Sequence, residues 1–482
     1  MYPGRVFKGN RDSFGVPDPE ETAERGGPVF FEEAGLLVLP RRRDHRIAYR
    51  DIVHVARSDS ALAIGTARDT LVLRKRAFVS SEAMEALERA LKARIGAEPN
   101  GAMRLARMAE LDAAAASRRP RVATLSFIVV CLLVFGFQWR DPFLTHVGVF
   151  APGLFSAGES WRLVTAHFLH DPLLFPIHLG LNLLCIAVIG LLVERVLGSG
   201  RTIVVMGVAA LGSSYGCWLA GYDQTLGASG VAAGLAGALL CIEFNGSRRL
   251  PVWWRIPRRI FIAAILAQAV LDYFVPFVAG AAHLGGFLAG YLIARFFVAS
   301  AILHRPPARL TQLAAGLVLG AVVLAALMAA PLLRRDGRAL ETHGLRVLQS
   351  EPGNARDDNT VAWVMVAESQ PSELGAQVAA ALAERAVAAT DRRNPDLLDT
   401  LAEALFALGD IPGALIAIDE AIDLSGGERY FVEQRRRFIG ERAADDRPEA
   451  PVGPGWRSPF SEPDAGPPTN PSDPQDPSET LI

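Results

Sequence analysis

The sequence has little net charge and few cysteines. Its 482 residues carry 49 Lys and Arg against 51 Asp and Glu, a net charge of −2, so it has no basic surface for nucleic acid. The four cysteines lie inside apolar stretches, which excludes a disulfide framework. The first thirty residues lack the apolar core of a signal peptide, and we expect the N-terminal part to stay in the cytoplasm.

Long charge-free stretches dominate the middle of the chain. Half of all residues are hydrophobic, and about 20 apolar residues cross a bilayer as a helix. This composition excludes a soluble globular enzyme and predicts an all-α polytopic membrane helix bundle of seven spans. Arginine concentrates on the N-terminal side of the membrane, so the N-terminus lies inside and an odd span count puts the C-terminal domain outside. The predicted spans are 122–139, 173–193, 202–221, 226–243, 260–278, 281–303 and 310–333.

An α+β domain is predicted before the first span. Residues 1–27 are predicted to be disordered, and short apolar stretches in 28–96 indicate strands followed by one helix. Ser80 or Ser81 caps that helix, and Gly96 ends it. Its apolar face is formed by Met84, Leu87, Leu91 and Ile95. Strands followed by a helix resemble a bacterial pleckstrin-homology-like module, and 97–121 is predicted to be a helical linker.

A helical domain is predicted over 339–443, after the seventh span. Apolar and small residues between Leu398 and Ala421 have the spacing of a tetratricopeptide repeat, which implies a protein partner. One clear repeat is visible, and the segments beside it are predicted to complete its core. The Pro-rich tail 446–482 is predicted to be disordered.

Polar residues within the spans share one depth. His178 and Asn182 begin the second span, Ser229 the fourth and His283 the sixth, all running from outside to inside. Such residues are expensive in a bilayer and indicate a functional site in its outer half.

Ser229 lies in Gly-Ala-Ser-Gly, residues 227–230. The glycines permit a tight turn, and a serine in the first helical turn meets free N–H groups that suit an oxyanion. Close helix packing through small residues is the alternative explanation.

His283 is followed by the spacing Gly286-xxx-Gly290, which lets another helix approach closely. A Ser–His hydrogen bond between helices needs this closeness, although an interhelical bond without chemistry fits equally. His178 and Asn182 are four residues apart, so both can donate to one oxyanion or form a polar packing pair.

These motifs together resemble the rhomboid intramembrane serine proteases. The match covers about 180 residues of the membrane core. In order, it comprises Trp161-Arg162, TAHFLH at 165–170, HLGLN at 178–182, ERVLG at 194–198, GASG at 227–230 and AHLGG at 282–286. The resemblance implies a protease core over 122–304, a multi-pass protein of the inner cell membrane, and transmembrane substrates in the lipid bilayer.

Residue roles follow from the same resemblance. Ser229 would be the nucleophile and His283 the base of a dyad that needs no aspartate, and no cofactor is expected. The oxyanion site would comprise His178, Asn182 and backbone N–H groups near Ser229, including Gly227. Structural roles are implied for Trp161, Arg162, Glu194, Gly230, Gly286 and Gly290. Many family members pack an aromatic residue on the histidine from a position that is Ala233 here.

Other reaction classes lack their residues. No HExxH is present for a metalloprotease, and Asp272 is the only acid well inside a span, whereas an aspartyl protease needs two. The polar residues cluster at one depth instead of crossing the bilayer, which disfavours a transporter. The serious alternative is a non-proteolytic adaptor that binds membrane proteins and would tolerate Ala at 229 or 283.

Overall fold

A computed structural model describes most of the chain and is mostly helical. The described residues are 29–31, 35–38, 45–67, 70–75, 78, 80–116, 121–172, 177–246, 258–275, 279–302, 306–350 and 355–448. The predictions for 1–27 and for the tail 446–482, apart from 446–448, lie outside these residues. The chain divides into two units, Met1–Phe135 with Ala166–Val322, and Gly136–Thr165 with Val323–Ile482.

The secondary structure consists of short N-terminal strands and then helices. The strands are β1 Val29–Phe31, β2 Gly35–Val38, β3 His45–Ala48, β4 Ile52–Ser58, β5 Ala61–Thr66 and β6 Thr70–Arg74. The helices are α1 Ser81–Ala97, α2 Gly101–Ala116, α3 Val122–Arg140, α4 Phe143–Gly148, α5 Pro152–Ser156, α6 Arg162–Thr165, α7 Ile177–Cys185, α8 Leu191–Leu197, α9 Ser199–Ala220, α10 Ser229–Gly246, α11 Arg258–Phe274, α12 Gly280–Ile302, α13 Arg309–Leu333, α14 Gly337–Gln349, α15 Ala355–Ala367, α16 Glu373–Ala389, α17 Pro395–Ala407, α18 Ile411–Leu424 and α19 Arg429–Phe438.

The N-terminal strands form two antiparallel three-stranded sheets, β1-β2-β3 and β4-β5-β6. Ser80 caps α1 by accepting a hydrogen bond from the Ala83 N–H, and the four predicted apolar residues of α1 are buried, so the predicted strands and helix are confirmed. Helix α2, predicted as a linker, packs on the sheet: Arg104 donates to the Ile52 carbonyl, and His54 pairs with Asp112 at 2.8 Å. The pleckstrin-homology likeness stays a prediction.

Five helices are long and apolar enough to cross a membrane. They are Val122–Arg140, Ile177–Leu197, Ser199–Ala220, Gly280–Ala301 and Arg309–Leu333. The second of these runs through α7, a π-helical turn at Ile186–Gly190, and α8. A sixth apolar helix, Ser229–Asn245, is shorter, and the predicted span 260–278 corresponds to the 17-residue α11. Large apolar side chains such as Phe296 and Leu317 are exposed on these helices, as lipid contact requires. Several apolar helices therefore support a multi-pass membrane protein.

The second unit joins the segment after α3 to the C-terminal helices. Arg162, fully buried, donates to the carbonyls of His146 and Val149 and pairs with Glu159 at 2.7 Å. The Trp161 indole donates to the Val147 carbonyl. These four hydrogen bonds and ion pairs fix the segment after α3. Trp161 and Arg162 thus have surroundings that fit the structural role implied for them.

The C-terminal helices pack on the loop of the same unit. His343 in α14 contacts two residues of this loop. Its Nδ1 lies 2.6 Å from Glu159 Oε1, and its Nε2 lies 3.0 Å from His146 Nε2. Arg335 pairs with Asp141 at 3.0 Å. Helices α14, α16, α17 and α18 each begin with a side-chain cap. The predicted helical character of this domain is confirmed, and its assignment as a tetratricopeptide repeat stays a prediction.

Candidate active site

Ser229 and His283 lie at the beginnings of two helices that touch through glycine. Ser229 is the first residue of α10, and His283 lies in the first turn of α12. A Cβ built on Gly286 would lie 2.1 Å from the Gly230 carbonyl oxygen, and one on Gly290 would lie 2.0 Å from that of Gly234. These distances are shorter than any real Cβ contact, so the two backbones touch as the glycine spacing predicted.

The turn before Ser229 has a conformation that favours glycine. Gly227 has φ of 123°, and its N–H donates to the Ala166 carbonyl at 2.9 Å. This bond fixes the turn and occupies the Gly227 N–H, so that group is not available to an oxyanion as the resemblance implied. Ser229 itself is half-buried. Its hydroxyl makes no hydrogen bond to any described residue, and none joins it to His283.

His178 points its ring at the same turn. A Cβ built on Gly227 would lie 3.0 Å from His178 Nε2 and 3.9 Å from Ser229 Oγ. The other ring nitrogen, Nδ1, accepts a hydrogen bond from the Asp171 main-chain N–H at 3.2 Å. The structure therefore brings the imidazole of His178 beside the loop that carries Ser229, with the Asp171 main chain holding its other nitrogen.

Asn182 lies one helical turn after His178 and is buried. Its Nδ2 donates to the His178 carbonyl at 2.8 Å, a bond that uses one of its two amide hydrogens. The second hydrogen has no acceptor among the described residues and can donate to another group, which is the capacity an oxyanion site needs.

Glu194, a residue of α8, lies apart from this cluster, and its carboxylate contacts the start of α3. Its carboxylate accepts hydrogen bonds from the main-chain N–H groups of Ala123 and Thr124 and from the hydroxyls of Thr124 and Ser199. A carboxylate at a helix N-terminus satisfies otherwise unpaired donors and the helix dipole. The surroundings of Glu194 thus fit a structural role.

Asp272 is the functional candidate to which the sequence gave no role. Its Oδ1 lies 2.9 Å from His283 Nδ1, and the Gln268 amide donates to the same oxygen at 2.7 Å. The available signal was an acid inside an apolar helix, eleven residues before the histidine. Among the residues that the structure describes, no three His, Cys, Asp or Glu side chains could hold a metal ion.

Comparison with known proteins finds one family in this region. A family profile described as "Rhomboid domain" matches residues 157–300, the stretch that contains Ser229, His283 and His178.

Three relatives illustrate the similarity. Rhomboid-like protease 3 of Toxoplasma gondii is 29% identical over 180 residues, which is 36% of this chain and 65% of the relative. Rhomboid protease GluP of Bacillus subtilis is 29% identical over 177 residues, 36% of this chain and 34% of the relative. Rhomboid protease GlpG of Photorhabdus laumondii is 34% identical over 139 residues, 28% of this chain and 47% of the relative.

The similarity is confined to the membrane core. The chain spans between about a third and two thirds of the length of these relatives, and neither flanking domain takes part in the family match. The family profile and the relatives therefore show that residues 157–300 are similar to rhomboid domains, including those of rhomboid proteases.

Proposed function

We propose that this chain is a serine endopeptidase that hydrolyses peptide bonds in or beside the transmembrane helices of other proteins. One observation carries the proposal: glycine contacts hold the beginnings of α10 and α12 together, which brings Ser229 and His283 to the same end of two touching helices. The family profile covers both residues and favours a protease over the adaptor alternative.

In the proposed reaction, Ser229 Oγ attacks the scissile carbonyl carbon while its proton passes to Nε2 of His283. The tetrahedral intermediate then expels the amine, which takes that proton from His283, and an acyl-serine remains. Water attacks the acyl-serine, again with His283 accepting the proton, and releases the new carboxyl end. We propose that the hydrogen bond between Ser229 and His283 forms when substrate binds, as catalytic hydrogen bonds often do.

The developing oxyanion needs donors beside Ser229. His178 Nε2 and the free Asn182 amide hydrogen are the side-chain donors, and the Ser229 N–H, at the first position of α10, is the main-chain donor. Free N–H groups at a helix beginning favour negative charge. Gly227 contributes the shape of the turn in this proposal, since its own N–H is bonded to Ala166.

The substrate is proposed to be a membrane-spanning helix. Its carbonyls are hydrogen-bonded within the helix, so the scissile bond must first be unwound. Helix-breaking or small residues near the cleavage site therefore favour hydrolysis.

Contacts within the second unit support an odd number of spans, and the arginine distribution supports which side each end lies on. The segment after α3 and helix α14 touch through Glu159–His343 and Asp141–Arg335, so both must lie on one side of the bilayer. An even number of crossings must separate them. Six helical spans between these points satisfy this only if α11 crosses as well as the five others. We therefore propose seven spans, with the C-terminal domain outside, a cytoplasmic N-terminus and a protein partner for the C-terminal helices.

Cleavage of a model transmembrane substrate in proteoliposomes tests the protease proposal. The wild type is compared with Ser229→Ala and His283→Ala, and with Ser126→Ala, an exposed serine on α3, as matched control. We expect product from the wild type and Ser126→Ala, and none from the other two. Equal cleavage by all four proteins would overturn the serine mechanism, and a wild type that binds the substrate without cleaving it would favour the adaptor.

A further inference from the structure

Helix α11 presents two polar side chains to the candidate base. Gln268 and Asp272 are four residues apart and so lie on one helix face. Asp272 Oδ1 lies 2.9 Å from His283 Nδ1 and accepts from Gln268 Nε2 at 2.7 Å. Gln268 Nε2 also lies 3.3 Å from His283 Nδ1, a longer distance than that of the carboxylate oxygen. The side chains of His283 and Asp272 are 13% and 18% exposed, so water screens this contact only in part.

The backbone at the start of α12 makes room for this contact. A Cβ built on Gly280 would lie 2.9 Å from Asp272 Cβ, closer than side chains approach. Glycine at 280 therefore lets the end of α11 lie against the first turn of α12, where His283 is located. Ala233 offers no ring with which to hold the imidazole.

We propose that Asp272 is a positioning residue for His283, which would make the site a Ser229–His283–Asp272 triad in place of a dyad. The carboxylate accepts a hydrogen bond from the Nδ1–H of the neutral imidazole, which leaves Nε2 as the basic nitrogen. When Nε2 takes the proton of Ser229, the carboxylate stabilises the imidazolium formed. Gln268 holds the carboxylate in place by donating a hydrogen bond to Asp272 Oδ1. The proposal rests on the proposed protease function.

Kinetics of Asp272→Asn measure this role. The change is isosteric but puts an amide where the carboxylate accepted the hydrogen bond of Nδ1–H. We therefore expect kcat to fall by about 10² or more with KM nearly unchanged. Gln268→Ala is expected to lower kcat less, again with KM nearly unchanged. Asp223→Asn, an exposed acid of the same unit, is the matched control.

Ser229→Ala, run alongside, separates the two proposals. If it retains cleavage, the protease mechanism itself fails. If it is inactive while Asp272→Asn cleaves within about threefold of wild type, with an unchanged KM, only the positioning role is wrong.

A spectroscopic test covers the case in which Asp272→Asn does not fold. In ¹⁵N-histidine NMR of the full chain, the His283 signals, identified by their loss in His283→Ala, should show a protonated Nδ1 in the neutral ring. Gln268→Ala should reduce that preference. A His283 ring protonated on Nε2 in the wild type would overturn the proposal.

Discussion

The main-chain N–H of Asp171 donates a hydrogen bond to Nδ1 of His178 across 3.2 Å. A neutral imidazole that accepts at Nδ1 carries its proton on Nε2, the nitrogen that faces the turn before Ser229. The backbone thus sets His178 as a hydrogen-bond donor toward the place where the substrate oxygen would develop charge. His178 can act in this way without carrying a charge of its own inside the bilayer.

His178→Ala and Asn182→Ala are each expected to reduce kcat by about 10²–10³, the usual cost of one oxyanion donor, with a small effect on KM. Asn245→Ala is a matched control, because the Asn245 amide donates to the Cys241 carbonyl at 2.8 Å, the same i to i−4 bond that Asn182 makes. Proteoliposome cleavage rates measure the difference. An Asn245→Ala loss as large as that of Asn182→Ala would show that both asparagines act only on helix packing.

Gly290→Ala is expected to separate α10 from α12. The added methyl group would lie 2.0 Å from the Gly234 carbonyl oxygen, a backbone atom that cannot rotate away, so the helices must shift. We expect a lower unfolding temperature and loss of most cleavage. Gly316→Ala in α13 is the control: nothing lies within 4 Å of its Cβ position, and alanine there should gain up to about 1 kcal/mol of helix stability. Wild-type activity and stability in Gly290→Ala would contradict the close contact.

Much of this arrangement could be predicted from sequence because it is local. The cap and apolar face of α1 follow from residues three and four apart, and Ser229 and His283 stand in short motifs with glycines at helical spacing. The Asp272–His283 contact could not be predicted from the sequence, because it depends on how the end of α11 packs against the next helix. The Glu159–His343 contact joins residues 184 apart in sequence, and no periodicity carries information over that distance.

The second unit is expected to lose stability in mild acid. Burial lowers the pKa of His343 to about 4, below its ordinary 6.5, so the folded protein resists protonation that the unfolded chain accepts. Burial of Glu159 acts to raise its pKa, but hydrogen bonds and opposite charges from His343 and Arg162 outweigh it and lower the pKa.

Stability that is complete above about pH 6.5 should therefore decline as the pH falls toward 4, with a further loss below 4.5 as Glu159 begins to be protonated in the unfolded chain. Unfolding temperatures of the full chain in detergent, measured from pH 8 to 4, test this. The variant His343→Gln should show a shallower decline between 6.5 and 4. An equal decline of the unfolding temperature in both proteins would show that groups other than His343 cause the acid sensitivity.

The proposed seven-span topology predicts which cysteines a membrane-impermeant maleimide can reach. In intact cells it should label cysteine introduced at Ala157, in the segment after α3, and at Ala389, at the end of α16, since both side chains are exposed and both segments belong to the second unit. A cysteine at Glu82, an exposed position of α1, should be labelled only after lysis. Labelling of Ala157→Cys without Ala389→Cys would show an even number of spans.

Covalent labelling by a fluorophosphonate tests the central claim most directly, because the reagent reacts only with a serine activated as a nucleophile. The full chain in proteoliposomes is treated with the probe, and the modified residue is identified by peptide mass spectrometry. The account predicts one adduct, on Ser229, that His283→Ala abolishes and Ser126→Ala leaves unchanged. An adduct on another serine, or equal labelling of Ser229 without His283, would contradict it.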